Sequence, residues 1–99
     1  MEIKIYKEDS KLTVELTGRL DTLTSPEVEK KLVPELEGIN ELVFDLKGLE
    51  YISSSGIRVL LAAQKAMDAS HGTMKVAGPG ESIMDVLVVT GLDSVFNII

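Results

Sequence analysis

No cysteine occurs in the chain, which excludes disulfide staples and thiolate metal sites. Histidine appears once, at His71, and one imidazole cannot build a zinc or iron centre alone. Long apolar runs are missing too. The stretches at residues 59–63 and 86–89 fall far short of the roughly 20 residues a membrane helix needs. The opening MEIKIYKED lacks the basic-then-apolar pattern of a leader. A cytoplasmic protein without a membrane partner is expected. Basic residues are also scarce: 10 Lys and Arg stand against 16 Asp and Glu, a formal net charge of −6. The lysines are dispersed, so a phosphate backbone is repelled and nucleic acid is disfavoured as a partner.

Apolar side chains, by contrast, make up 44% of the 99 residues, enough to close one modest core, and no repeat or linker divides them; one domain over residues 1–99 is expected. Ile3 and Ile5, then Leu12, Val14 and Leu16, recur at period two around the polar turn Glu8-Asp9-Ser10, which predicts a β-hairpin closing near Gly18. Ser25-Pro26 places a capping hydroxyl before a proline at the first helical position, while Thr24 and Glu27 offer an alternative capping-box spacing. Val28, Leu32 and Leu36 follow at four-residue spacing up to a stop at Gly38. Pro34 removes a helical hydrogen bond, so a kink, or a break and restart, is expected there.

Residues 42–46 (LVFDL) read as a central strand, residues 48–55 as a loop, and residues 56–70 as the strongest helix, running without a breaker to Gly72. A further strand over 74–77 ends at Gly78-Pro79-Gly80, a third helix spans 82–90 to Gly91, and a short segment covers 95–99. The order β-β-α-β-α-β-α implies parallel strands joined by right-handed crossovers. If each strand neighbours its predecessor, all helices share one face, and the loops at 18–24, 48–55 and 78–81 gather at the carboxyl edge, where α/β sheets place function.

At that edge Ser53, Ser54 and Ser55 arrive at the start of the best helix. Its free N–H groups and partial positive charge accommodate a carboxylate or phosphate. On the residues alone, one serine caps the helix and the others fill a polar loop. A helical wheel puts Val59, Ala63, Ala66 and Met67 toward the core and Arg58, Lys65 and Asp68 opposite. Ile57 and Leu61 fall off the core side: they either pack on a flanking helix or stay partly exposed as the apolar heart of a partner surface. Arg58 is either an ordinary exposed charge or a contact to an acidic partner. Val88 and Met84 make the third helix unusually apolar, which means deep burial or weak homodimerisation. His71 reads as a surface residue near a helix end. It cannot serve as general base for a serine nucleophile, because it lies about 25 Å away at 1.5 Å per helical residue; no G-x-S-x-G elbow or P-loop is present, and an enzyme is not expected.

The stretch Leu49-Glu50-Tyr51-Ile52-Ser53-Ser54-Ser55-Gly56-Ile57-Arg58-Val59-Leu60 resembles the phosphorylation-loop signature of STAS domains, found in bacterial anti-sigma factor antagonists and in sulphate transporters. Thr17-Gly18-Arg19-Leu20-Asp21 is similar to the family's strand-end motif, Val43-Phe44-Asp45-Leu46 to its central strand, and Thr90-Gly91-Leu92-Asp93-Ser94-Val95-Phe96 to its closing segment. The resemblance implies an α/β fold of STAS type: an N-terminal β-hairpin leading into a mostly parallel sheet of four or five strands, with three to four helices largely on one face. It implies Ser54, two residues before Gly56, as phosphoacceptor, with Ser53 and Ser55 as secondary candidates. Many members carry aspartate where this chain has Ser53. Together with the wheel reading of Ile57, Arg58 and Leu61, the expected partner-binding set is Asp21, Thr22, Thr24, Ser53, Ser55, Gly56, Ile57, Arg58 and Leu61. The implied mechanism is partner switching. The unmodified protein binds an anti-sigma factor that is also a serine kinase, phosphorylation breaks the complex, and a serine phosphatase resets it, with no cofactor held by this chain. The alternative is an unphosphorylated STAS binding subunit of a transport or sensory assembly.

Overall fold

The computed structural model describes residues 1–99. Strands β1 (Glu2–Glu8) and β2 (Lys11–Leu20) form the expected hairpin. The turn depends on Asp9, whose φ of 55° puts it in the left-handed region that aspartate enters more easily than most residues. Helix α1 (Ser25–Leu32) follows, then a 3-10 turn (Val33–Glu35), β3 (Glu41–Ile52), α2 (Ser54–Ala69), β4 (Thr73–Ala77), α3 (Glu81–Val89), a second 3-10 turn (Leu92–Ser94) and the two-residue β5 (Asn97–Ile98).

The sheet runs β1-β2-β3-β4-β5, antiparallel between β1 and β2 and parallel thereafter. Successive parallel neighbours joined by right-handed crossovers put all helices on one face. Burial follows that division except at Val43, which is buried although it alternates onto the helix-free face. Leu12, Val14 and Leu16 of β2, Leu42, Phe44 and Leu46 of β3, and Met74 and Val76 of β4 are buried, while the alternating Thr13, Glu15, Asp45 and Lys75 are only half-covered. On the helix-free face Glu41 accepts Lys11 and Lys75 at 3.8 and 3.5 Å. Val28 and Leu32 of α1, Val59, Leu60, Ala63 and Met67 of α2, and Ile83 and Leu87 of α3 close the core from the other side.

Three differences from the sequence expectations bear on function. The segment 48–55, expected as a loop, is mostly strand: β3 continues to Ile52, and α2 begins at Ser54 rather than Gly56. Pairing with β2 passes from Glu15↔Asp45 to Thr17↔Gly48, then from Gly18↔Leu49 to Arg19↔Tyr51. Each step spends one extra residue of β3, a pair of β-bulges. Leu46, Leu49 and Ile52 are therefore all buried at a spacing of three, which hides the strand from a period-two search. Second, β4 ends at Ala77 opposite Asp45 while β3 runs on through residues 46–52. The loop at 78–81 thus lies recessed from the edge where β2 and β3 terminate together. Third, Ala66, expected in the core, is exposed; α1 stops at Leu32, where Pro34 turns the chain into a 3-10 conformation, and nothing covers that flank of α2.

Candidate functional site

The β2–β3 ribbon and the starts of α1 and α2 build one edge. Leu20 pairs with Ile52, and the next link is the Ser53 N–H donating to the Leu20 carbonyl at 2.9 Å. Ser53 is the N-cap of α2: its backbone is extended and its Oγ accepts the Gly56 N–H at 3.3 Å, satisfying one of the helix's orphan donors. Ser54 is then the first helical residue and is exposed, while Ser55 is half-covered. By position, their N–H groups have no acceptor within the helix. A group attached to Ser54 Oγ would sit at the positive end of a 16-residue helix.

Gly56 holds the loop close to the strands. A Cβ there would lie 2.8 Å from Ile52 Cγ1, from Leu20 Cγ and from the Leu20 carbonyl oxygen, so only glycine lets α2 start so near the sheet.

The loop after β2 is fixed by Asp21. One carboxylate oxygen accepts the N–H groups of Leu23 and Thr24 at 3.0 and 3.1 Å and the Thr24 hydroxyl at 3.2 Å. The other lies 3.8 Å from Arg19 Nε. The Thr24 N–H, followed by that of Leu23, the Thr24 hydroxyl and the Arg19 charge, holds the Asp21 carboxyl below its ordinary value against the opposing pull of desolvation. Thr24 is the N-cap of α1, yet its side chain does not cap; its hydroxyl donates to the Arg19 carbonyl at 2.7 Å and accepts the Asp21 N–H at 2.9 Å. Ser25, expected as the capping hydroxyl, is instead inside the helix, and its buried Oγ has no hydrogen-bond partner.

The two loops meet through Thr22 and Ser55, whose hydroxyls are 3.3 Å apart. Of the expected partner set, Asp21, Thr22, Thr24, Ser53, Ser55 and Gly56 are thus brought together around Ser54. Ile57 and Leu61 are half-buried against the core rather than engulfed by it. Arg58 is exposed and takes part in no ion pair. His71 lies beyond the far end of α2 with a φ of 62°, remote from the serines. No cluster of three or more His, Cys, Asp or Glu residues is arranged to hold a metal ion.

Sequence reasoning missed two features. Arg19 lies over the Tyr51 ring, 4.1 Å from its centroid, a stack that ties the ends of β2 and β3 and that only the bulged register brings together. Between α1 and α2 a groove of about 420 Å³ opens, with Thr22, Ser25, Glu29, Ser55 and Arg58 in its lining. The unbroken helical propensity of residues 56–70 carried no sign of it.

Comparison with known proteins agrees with this architecture. The anti-sigma-B factor antagonist of Bacillus subtilis (strain 168) is 24% identical over 98 residues, covering 99% of this chain and 90% of that protein. The anti-sigma factor antagonist SpoIIAA in its unphosphorylated form superposes with a TM-score of 0.86 at 16% identity, over 99% of this chain and 88% of that one. The phosphorylated form of SpoIIAA, a Bacillus cell fate determinant, gives a TM-score of 0.79 at 16% identity, over 99% and 91%. The family model for the STAS domain matches residues 2–99, and the chain belongs to the STAS domain family.

Proposed function

We propose that this protein is an anti-sigma factor antagonist switched at Ser54. The observation that carries the proposal is the placement of Ser54: exposed, first in α2, and held at the tip of a rigid edge by its neighbours rather than by its own hydroxyl. Ser53 caps the helix and Ser55 meets Thr22, so each flanking serine already has a structural bond. The unmodified edge binds an anti-sigma factor with serine kinase activity and so frees the sigma factor. A phosphate on Ser54 adds about −1.5 to −2 charges to a chain whose net charge is −6 and brings a hydration shell that a close interface cannot accommodate. A serine phosphatase restores the binding form. The B. subtilis relative bears the name anti-sigma-B factor antagonist, and SpoIIAA has been solved in unphosphorylated and phosphorylated forms, which supports this reading.

The test is calorimetric titration of a cognate anti-sigma factor with wild type and with Ser54→Asp. Binding by wild type and loss of at least tenfold in affinity in the variant is the expected result. Equal affinity for the two would remove Ser54 from the interface.

A further inference from the structure

Helix α1 ends at Leu32 while α2 continues to Ala69, so the groove between them outlasts the loop that opens it. Beyond the polar mouth at Ser55 and Arg58 lies a second, apolar part of about 150 Å³ lined by Leu32, Val33, Leu36 and Ala66. The two cavities share Glu29, Val59 and Ala62 in their linings and so lie side by side along α2. Their apolar walls face water: Val33 is 59% exposed, and Ala62 and Ala66 are exposed as well. An apolar cavity of this size holds a benzene-sized group, the bulk of a single leucine, isoleucine or phenylalanine side chain.

Charge indicates what enters. Arg58 and Glu29 line the same mouth, yet neither is within ion-pair distance of the other or of any other charged group. An arginine left unpaired in a chain carrying 16 acidic residues is available to a carboxylate from outside. The mouth is continuous with the Ser54 edge through Ser55 and Thr22.

We propose that the α1–α2 groove is a second contact for the same partner: an amphipathic segment of the anti-sigma factor that seats one bulky apolar side chain between Val33, Leu36 and Ala66 and sets a carboxylate against Arg58. The proposal rests on the reading of the Ser54 edge given above and adds a regulatory consequence. Ala66 is about 18 Å from Ser54 along the helix at 1.5 Å per residue, more than twice the Debye length of roughly 8 Å at physiological ionic strength. A phosphate on Ser54 therefore disrupts the edge but leaves the apolar end of the groove intact, and the phosphorylated protein retains weak affinity for its partner.

The experiment is titration of the cognate anti-sigma factor with wild type, Ser54→Asp, Ala66→Glu, Val33→Ser and Lys65→Glu. Ala66 and Val33 are exposed on opposite walls, so melting curves should be nearly unchanged and binding alone should fall, by tenfold or more for Ala66→Glu and several-fold for Val33→Ser. Lys65, exposed on α2 and outside the groove lining, controls for added negative charge and should bind as wild type. Ser54→Asp weakening alone, with Ala66→Glu equal to wild type, overturns the groove while leaving the Ser54 switch standing. Equal weakening by Ala66→Glu and Lys65→Glu also overturns it, because charge and not occupancy would then be responsible. Loss in the groove variants with Ser54→Asp unaffected supports the groove and refutes the switch. Failure of wild type to bind refutes both.

Discussion

Gly56→Ala tests the geometry that places Ser54. Alanine ordinarily stabilises a helix relative to glycine by about 1 kcal/mol, so propensity alone predicts a more stable protein. Packing predicts the reverse. The new methyl carbon would lie 2.8 Å from two side-chain carbons and a carbonyl oxygen, closer than Cβ atoms are found to approach other atoms. Those neighbours cannot swing away: Leu20 is 0% and Ile52 5% exposed, and the Leu20 carbonyl is the acceptor for Ser53 N–H. Overpacking of this kind costs roughly 1–3 kcal/mol. With three close contacts the upper part of that range applies, and the net loss after the propensity gain is about 1–2 kcal/mol. For a domain of this size each 1 kcal/mol moves the melting temperature by about 4–8 °C, so Gly56→Ala should melt roughly 5–15 °C lower, with an unchanged urea m-value. Differential scanning calorimetry and urea titration read both quantities. A variant as stable as wild type, or more so, would show that α2 can move off the strands freely and that the edge is not held by this contact.

Ser53→Ala should cost about 1 kcal/mol through loss of the cap, while Ser53→Asp, which keeps an acceptor at the cap, should melt near wild type; equal loss in both would argue against the cap. Leu60→Ala, at a side chain with no exposed surface, should lose about 2–5 kcal/mol in urea unfolding, and a loss under 1 kcal/mol would contradict its core position. Asp21 has a folded-state pKa below its unfolded value, near 4. Its contribution is therefore complete above about pH 4 and disappears as pH falls through the folded value. The stability difference between wild type and Asp21→Asn should narrow on acidification from pH 6 to pH 2, and a pH-independent difference would contradict the hydrogen-bonded carboxylate.

Much of this architecture could be read from local pattern. The hairpin followed from the alternation of Ile3, Ile5, Leu12, Val14 and Leu16, and those residues do point to one side, since Ile3 pairs with Leu16 and Ile5 with Val14. The break at Pro34 followed from its missing N–H, and the chain there is a 3-10 turn. The end of β3 was not legible because two bulges change the spacing of its buried residues from two to three. Gly48, which reads as a stop, instead sits beside Thr17, where a Cβ would lie 2.8 Å from Thr17 Oγ1. Ala66 was misplaced because a helical wheel gives direction but not coverage; whether that flank is buried depends on how far α1 extends. The third helix is not deeply buried as a whole: Ile83 and Leu87 fill the core and Met84 is half-buried, whereas Val88 and Val89 are exposed. The serine cluster was visible in sequence, but the roles of its members were not, because cap, first helical residue and Thr22 contact differ only once the strand is known to end at Ile52.

The central claim is that Ser54 carries the switch, and intact-mass and fragment-ion analysis after incubation with a cognate kinase and ATP tests it most directly. Wild type should gain one phosphate, localised to Ser54, and bind the kinase at least tenfold more weakly, while Ser54→Ala should gain none and bind as the unmodified protein. A phosphate on Ser53 or Ser55, or a phosphorylated Ser54 that leaves binding unchanged, would contradict it.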